Sequence, residues 1–116
     1  MKPATVVNRH KARGQFLYVG RPSAWGNPFS VAQHGQAAMR LYLDWLRDDP
    51  QGRDRVDLAK RLLPGMVLAC SCTEWPSPRW RPCHAVVLAR LANGEDLEVI
   101  RVDVLMRVAE TRDLFS

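Results

Sequence analysis

The first 43 residues contain no carboxylate: Asp44 is the first acidic side chain, and Lys2, Arg9, Lys11, Arg13, Arg21 and Arg40 come before it. Beyond that point eleven Lys or Arg face twelve Asp or Glu, so the net charge of +5 resides in the N-terminal third. A cationic segment of this kind suits an anionic partner, because Lys and Arg supply both long-range attraction and donors for phosphate oxygens. A solvated basic face is the plainer explanation, since charge clusters cost little on a surface. No stretch approaches the roughly eighteen uninterrupted apolar residues of a membrane span, and the N-terminus lacks the apolar run of a secretory signal. We therefore expect no membrane partner and a cytoplasmic location. Internal repeats, low-complexity tracts and Gly/Ser linkers are also missing, which leaves residues 1–116 as a single domain, large enough for a modest core without disulfides. Cysteine is scarce: Cys70, Cys72 and Cys83 are odd in number, which fits a reducing compartment and argues against a disulfide framework, with a transient redox pair still open.

What is present reads as alternating strands and helices. Thr5 to Asn8 and Phe16 to Val19 are short β-branched and aromatic runs joined by a basic loop containing Gly14. Gln36 to Arg47 has a broad apolar helical face, ended by Asp48, Asp49, Pro50 and Gly52; a second helix is expected from about Arg53 to Leu63, closed by Pro64-Gly65. Met66 to Cys72 reads as a strand, its nearly unbroken apolar run suited to burial on both faces. Pro82 is placed in the first turn of a helix running through Cys83 to Ala92 and stopped at Asn93-Gly94, and Leu97 to Val104 as one last strand. This order predicts an α/β fold, a small Rossmann-like layered sheet with flanking helices.

Two segments carry candidate chemistry. Gly20 to Phe29, G-R-P-S-A-W-G-N-P-F, is too rich in Gly and Pro for a regular element and follows a strand. Gly20 and Gly26 leave backbone N–H groups accessible, Arg21 offers a planar donor fork, Asn27 an amide for a base edge and Trp25 a stacking face. The same loop serves equally as a structural turn with Trp25 and Phe29 as core plugs. The second segment brings Cys70 and Cys72, two apart on a strand and so on one side, towards Cys83 and His84 at a helix start near the C-terminal strand edge, where open α/β sheets bind ligands. The helix dipole would favour a Cys83 thiolate, making it the most reactive of the three thiols; Cys83 and His84 are the candidate catalytic residues, one of them rather than a dyad, because successive helix residues diverge by about 100°. Cys70, Cys72, Cys83 and His84 also match the donor set of a Cys₃His zinc site, although C-x-C with an adjacent C-H is not a standard spacing. Inert core thiols are the third reading.

The motifs Val7-Asn8-Arg9, Gly20-Arg21-Pro22, Trp25-Gly26-Asn27-Pro28-Phe29, Leu68-Ala69-Cys70-Ser71-Cys72 and Cys83-His84 together resemble an uncharacterised family of small bacterial and phage proteins, the domain of unknown function numbered four-three-two-six. The resemblance spans about Val6 to Ala92. It implies that Asn8 and Arg9, ending the first strand, belong to the same site as the loop and the cysteines. Where many members follow Cys-His with Gly and an acidic residue, this chain has Ala85-Val86, which weakens any catalytic role leaning on that carboxylate. A fainter likeness to a second α/β family rests on Cys72-Thr73-Glu74 and Cys83-His84 alone and bears only on fold. The expectation is a nucleotide- or nucleic-acid-processing protein. The rival is a non-enzymatic module that binds nucleic acid or a protein partner and uses the cysteines for packing or structural zinc.

Overall fold

The computed structural model of the chain describes residues 2–115, with side chains through residue 110. Three short parallel strands, β1 (Thr5–Asn8), β2 (Leu17–Tyr18) and β3 (Val67–Cys70), form one sheet in the order β1-β3-β2. Asn8 is level with Cys70, and Tyr18 with Ala69, so all three strands end at the same edge. The apolar run of β3 has the central position it implied: Leu68, Ala69 and Cys70 are buried. Beyond β3 the chain turns back, and Trp75 pairs antiparallel with Val6 on the outer side of β1.

Five α-helices complete this mixed α/β domain: α1 (Val31–His34), α2 (Ala38–Asp48), α3 (Pro50–Leu62), α4 (His84–Ala92) and α5 (Leu97–Phe115). The turn of 3₁₀ helix Gly35–Ala37 leads into α2, so the helix expected from Gln36 begins its α-helical ladder two residues later. Helix α4 lies between layers, packed on β1 and β3 and against α3 and α5, and every residue from Ala85 to Leu91 is buried. Its Leu88 and Leu91 join Leu43, Leu46, Leu63, Leu68 and Ile100 in the core.

Three readings from the sequence are corrected. Pro50 and Gly52, expected as terminators, lie inside α3: Pro50 occupies the opening position, where a missing N–H costs nothing, and Asp49 caps it by accepting from Gln51 N at 2.8 Å. Gly52 is buried because α3 crosses the end of α2 there, leaving a Cβ no room against the carbonyl of Trp45 and the Cα of Leu46. Leu97 to Val104 is helix rather than strand. Its β-branched residues satisfy two helical faces, Ile100 and Val104 inward and Val99 and Val102 outward, and tertiary packing overrides β propensity. The helix after β3 starts at His84, with Cys83 extended as N-cap, so Pro82 and Cys83 lie outside its first turn.

A cleft at the C-terminal edge of the sheet

The loops that leave β2 and β3 at the shared edge enclose a cleft of about 620 Å³. Gly20, Arg21 and Asn27 line it from one loop, Cys70, Ser71, Cys72, Arg81, Cys83 and His84 from the other. Phe29, Val31, Met39 and Val108 supply apolar wall. The two motifs singled out in the sequence therefore meet.

The Gly20–Phe29 loop is held by its own polar groups. Arg21 Nε and NH2 both donate to the Asn27 carbonyl, at 2.9 and 2.7 Å, and Tyr18 Oη donates to the Arg21 carbonyl at 3.0 Å. A Cβ at Gly20 would meet the Tyr18 ring, whose Cε1 lies 2.9 Å away, so the ring would have to shift. Asn27 spends its side chain internally: Oδ1 accepts from Phe29 N at 2.8 Å and Nδ2 reaches the Ala38 carbonyl at 3.4 Å, tying the loop to α2. Its amide is thus not offered to a base edge. Trp25 does not line the cleft; it packs against the core and carries the Arg55 guanidinium 5.6 Å from its ring centroid. Gly26 is likewise outside, donating its N–H to Ser23 O at 3.0 Å in a turn.

Asn8 and Arg9 stand beside the cleft. Asn8 Oδ1 accepts from His10 N at 2.9 Å, fixing the turn after β1, and the Arg9 guanidinium lies 4.9 Å from the centroid of the cleft residue Tyr18. Arg81, which in the sequence is only one more charge near Cys83, is the cation that sequence reasoning undervalues. It is exposed, lines the cleft beside Cys72, and has no ion pair among the described residues.

Cys83 is not the activated thiolate expected at a helix start, and His84 is tied to the backbone at the end of β2. His84 Nε2 lies 2.7 Å from the Val19 carbonyl and must donate to it, which leaves Nδ1 as acceptor, 3.8 Å from Cys83 Sγ. Burial holds the imidazole below its usual pKa, and the nearby Arg21 cation adds to this, so the ring is neutral at pH 7. The neighbouring Cys70 and Cys72 thiols, together with burial, push the pKa of the Cys83 thiol well up. The neighbouring Cys72 and Cys83 thiols push the pKa of Cys70 in the opposite direction, downward, while its Sγ lies 3.5 Å from the Thr73 carbonyl, to which the thiol donates. Cys72 is exposed, and its pKa is raised by Cys70. All three cysteines are free. Among the described residues no three His, Cys, Asp or Glu are arranged to hold a metal ion; the Cys₃His set fails because His84 is committed to Val19 and to Cys83. None of the described helices is long and apolar enough to cross a membrane.

The structure is thus a small parallel α/β domain with a thiol- and guanidinium-lined cleft at the C-terminal ends of its strands. The chain belongs to the family described as Domain of unknown function (DUF4326), whose model matches residues 6–94. That span contains every cleft residue named above except Val108. No curated protein and no solved structure was found to match.

Proposed function

We propose that the domain binds a nucleotide, free or as part of a nucleic acid, in this cleft. The observation that carries the reading is the lining itself. Arg21 and Arg81 stand at an apolar wall of Phe29, Val31 and Met39, and among the described residues no carboxylate lines the cleft. Such a site receives a planar base on its apolar side and phosphate on its guanidinium side, and its volume falls within the range of small-molecule pockets. The excess of N-terminal cations, with Arg9 stacked on Tyr18, adds attraction for a polyanion. In this reading Arg81 holds phosphate, while Arg21 mainly shapes the wall.

The test is a calorimetric titration of nucleoside mono-, di- and triphosphates, the matching unphosphorylated nucleosides and a short single-stranded oligonucleotide, at low and moderate salt. The reading requires phosphorylated ligands to bind and nucleosides to bind weakly. Arg81→Ala should cost about 1.5–3 kcal/mol, tenfold or more in Kd. Equal affinity for nucleoside and nucleotide, or no effect of Arg81→Ala, would remove phosphate recognition from the cleft. A binding module without chemistry at Cys83 and His84 is favoured over a Cys-His catalyst by one observation. Both ring nitrogens of His84 face protein groups, so the ring acts as a tie between the end of β2 and the start of α4.

A further inference from the structure

The cations nearest the cleft are not all inside it. Three loops leave the C-terminal edge of the sheet, residues 9–16 after β1, 19–30 after β2 and 71–83 after β3. They carry Arg9, Lys11, Arg13, Arg21, Arg79 and Arg81, all exposed, against one carboxylate, Glu74. Every ion pair among the described residues uses Arg47, Arg90, Arg101 or Arg107, on α2, α4 and α5. None of the six loop cations is therefore spent on a described carboxylate.

Backbone bonds fix two of these cations at the strand ends. Arg9 N donates to the Cys70 carbonyl at 2.9 Å, and Lys11 N and Ala12 N to the Asn8 carbonyl at 3.0 and 2.9 Å, so the turn after β1 begins level with the last residue of β3. The Arg9 guanidinium reaches the ring of Tyr18 on β2, with β3 lying between the two strands, so its side chain crosses the end of β3. Stacked there, it keeps its in-plane N–H groups for phosphate oxygens. Arg81 N donates to Thr73 Oγ1 at 2.8 Å, which holds Arg81 against the turn after β3. Arg21 and Arg81 line the cleft, whereas Arg9 and Lys11 stand outside it.

We propose that the cleft takes one nucleotide of a single-stranded nucleic acid, and that the adjoining phosphates run over Arg9 and Lys11 along the ends of the strands. This rests on the nucleotide reading above and names the polymer as its ligand. A free nucleotide in the cleft leaves Arg9 and Lys11 idle, and a strand that continues past the rim meets them. The ligand is single-stranded because the site is recessed: Cys70, which lines it, is only 1% exposed. A base reaches such a wall only out of its stack, and a paired base would first have to be unpaired. The cleft volume of about 620 Å³ suits one nucleotide, so the rest of the strand lies on the surface. Arg9 and Lys11 meet phosphate alone and add affinity without reading sequence.

The full chain is titrated by calorimetry with the four nucleoside monophosphates, with mixed-sequence single strands of about seven nucleotides as DNA and as RNA, and with the matching duplex, between about 50 and 200 mM KCl. At low salt a single strand, of either sugar, should bind about tenfold or more tighter than any monophosphate, and tighter than the duplex. Two added phosphate contacts should steepen the slope of log K against log salt by about 1.4, of which Lys11→Ala should return about 0.7. Lys11→Glu and Arg9→Ala should each lower the ratio of strand to monophosphate affinity by about fivefold or more. Lys11 is exposed, so its variants keep the fold even where Arg9→Ala, which uncovers Tyr18, does not. Arg81→Ala should weaken both kinds of ligand. Monophosphates that bind and respond to Arg81→Ala, with strands no tighter and no steeper in salt, would overturn this proposal and leave the nucleotide reading standing. Binding of neither ligand would overturn both. Strand binding that ignores Arg81→Ala, or a duplex bound as tightly as a single strand, would put the polyanion outside the cleft and overturn the proposal.

Discussion

Replacing Arg21 by Ala should open the Gly20–Phe29 loop without unfolding the domain. The side chain makes two charge-assisted hydrogen bonds, at 2.9 and 2.7 Å, but both end on one carbonyl, that of Asn27, and the residue is exposed. A hydrogen bond to a charged group contributes about 1.5–3 kcal/mol when well sheltered, and solvent lowers this. We therefore expect about 1–3 kcal/mol for the pair together, and expect it as local opening, because the loop contributes little to the core around α4. Hydrogen exchange reads this directly. The N–H of Ser23 bonds Gly20 O, that of Gly26 bonds Ser23 O, and that of Phe29 bonds Asn27 Oδ1, so these three amides should exchange about ten- to a hundredfold faster in the variant. Amides of α4 should be unaffected. Arg21→Lys should restore only part of the protection, since an ammonium cannot reproduce the fork. A second readout is His84: loss of the nearby cation should raise its pKa. Unchanged exchange at all three amides would show that the guanidinium does not hold the loop, and would return Arg21 to the purely ligand-binding role expected from sequence.

Other outcomes follow from single contacts. Gly52→Ala, which drives a Cβ into the backbone of Trp45 and Leu46, should lower stability by about 3 kcal/mol or more, measured as the urea midpoint; a loss below about 1 kcal/mol would mean that α2 and α3 can separate cheaply. His84 is held below its unfolded pKa of about 6.5, so the unfolded chain binds the proton first and stability falls as pH drops through 6.5 towards the folded value. His84→Gln should remove that component, up to about 1.4 kcal/mol per pH unit, in denaturation curves compared at about pH 7.5 and 5.5; parallel pH dependence in the two proteins would contradict it. Cys83, buried and with its pKa pushed up, should be the last thiol alkylated by iodoacetamide, and peptide mapping that finds it labelled first would reverse the order that burial imposes.

How far the site is legible in the sequence depends on what its residues are bonded to. The Gly-Arg-Pro loop and the Cys-x-Cys strand are readable because turn chemistry and an apolar run are local signals, and parallel strands then force the loops after β2 and β3 onto one edge. The direction of each polar group is not readable. By sequence Asn27 is free to meet a ligand, yet Phe29 N and the Ala38 carbonyl claim both ends of its amide. By sequence Cys83 is a helix-dipole thiolate. One residue's displacement to the N-cap, together with burial beside two other thiols, pushes its pKa up instead. Trp25 reads as a stacking face, but Arg55, thirty positions away, already occupies it. Helix α5 escapes the sequence for a different reason: Val99, Ile100, Val102 and Val104 look like alternating strand residues, and only the packing of Ile100 and Val104 against the core decides for helix.

Val108 on α5 closes one side of the cleft, although the segment matched by the family model ends at residue 94. The motifs and this wall therefore belong to different parts of the chain, and they can vary on separate schedules. A change of side-chain size at Val108 widens or narrows the entrance while Arg21, the thiols and His84 keep their places. Within a set of proteins sharing one chemical floor, the choice of what is admitted would then be adjusted from outside the shared sequence.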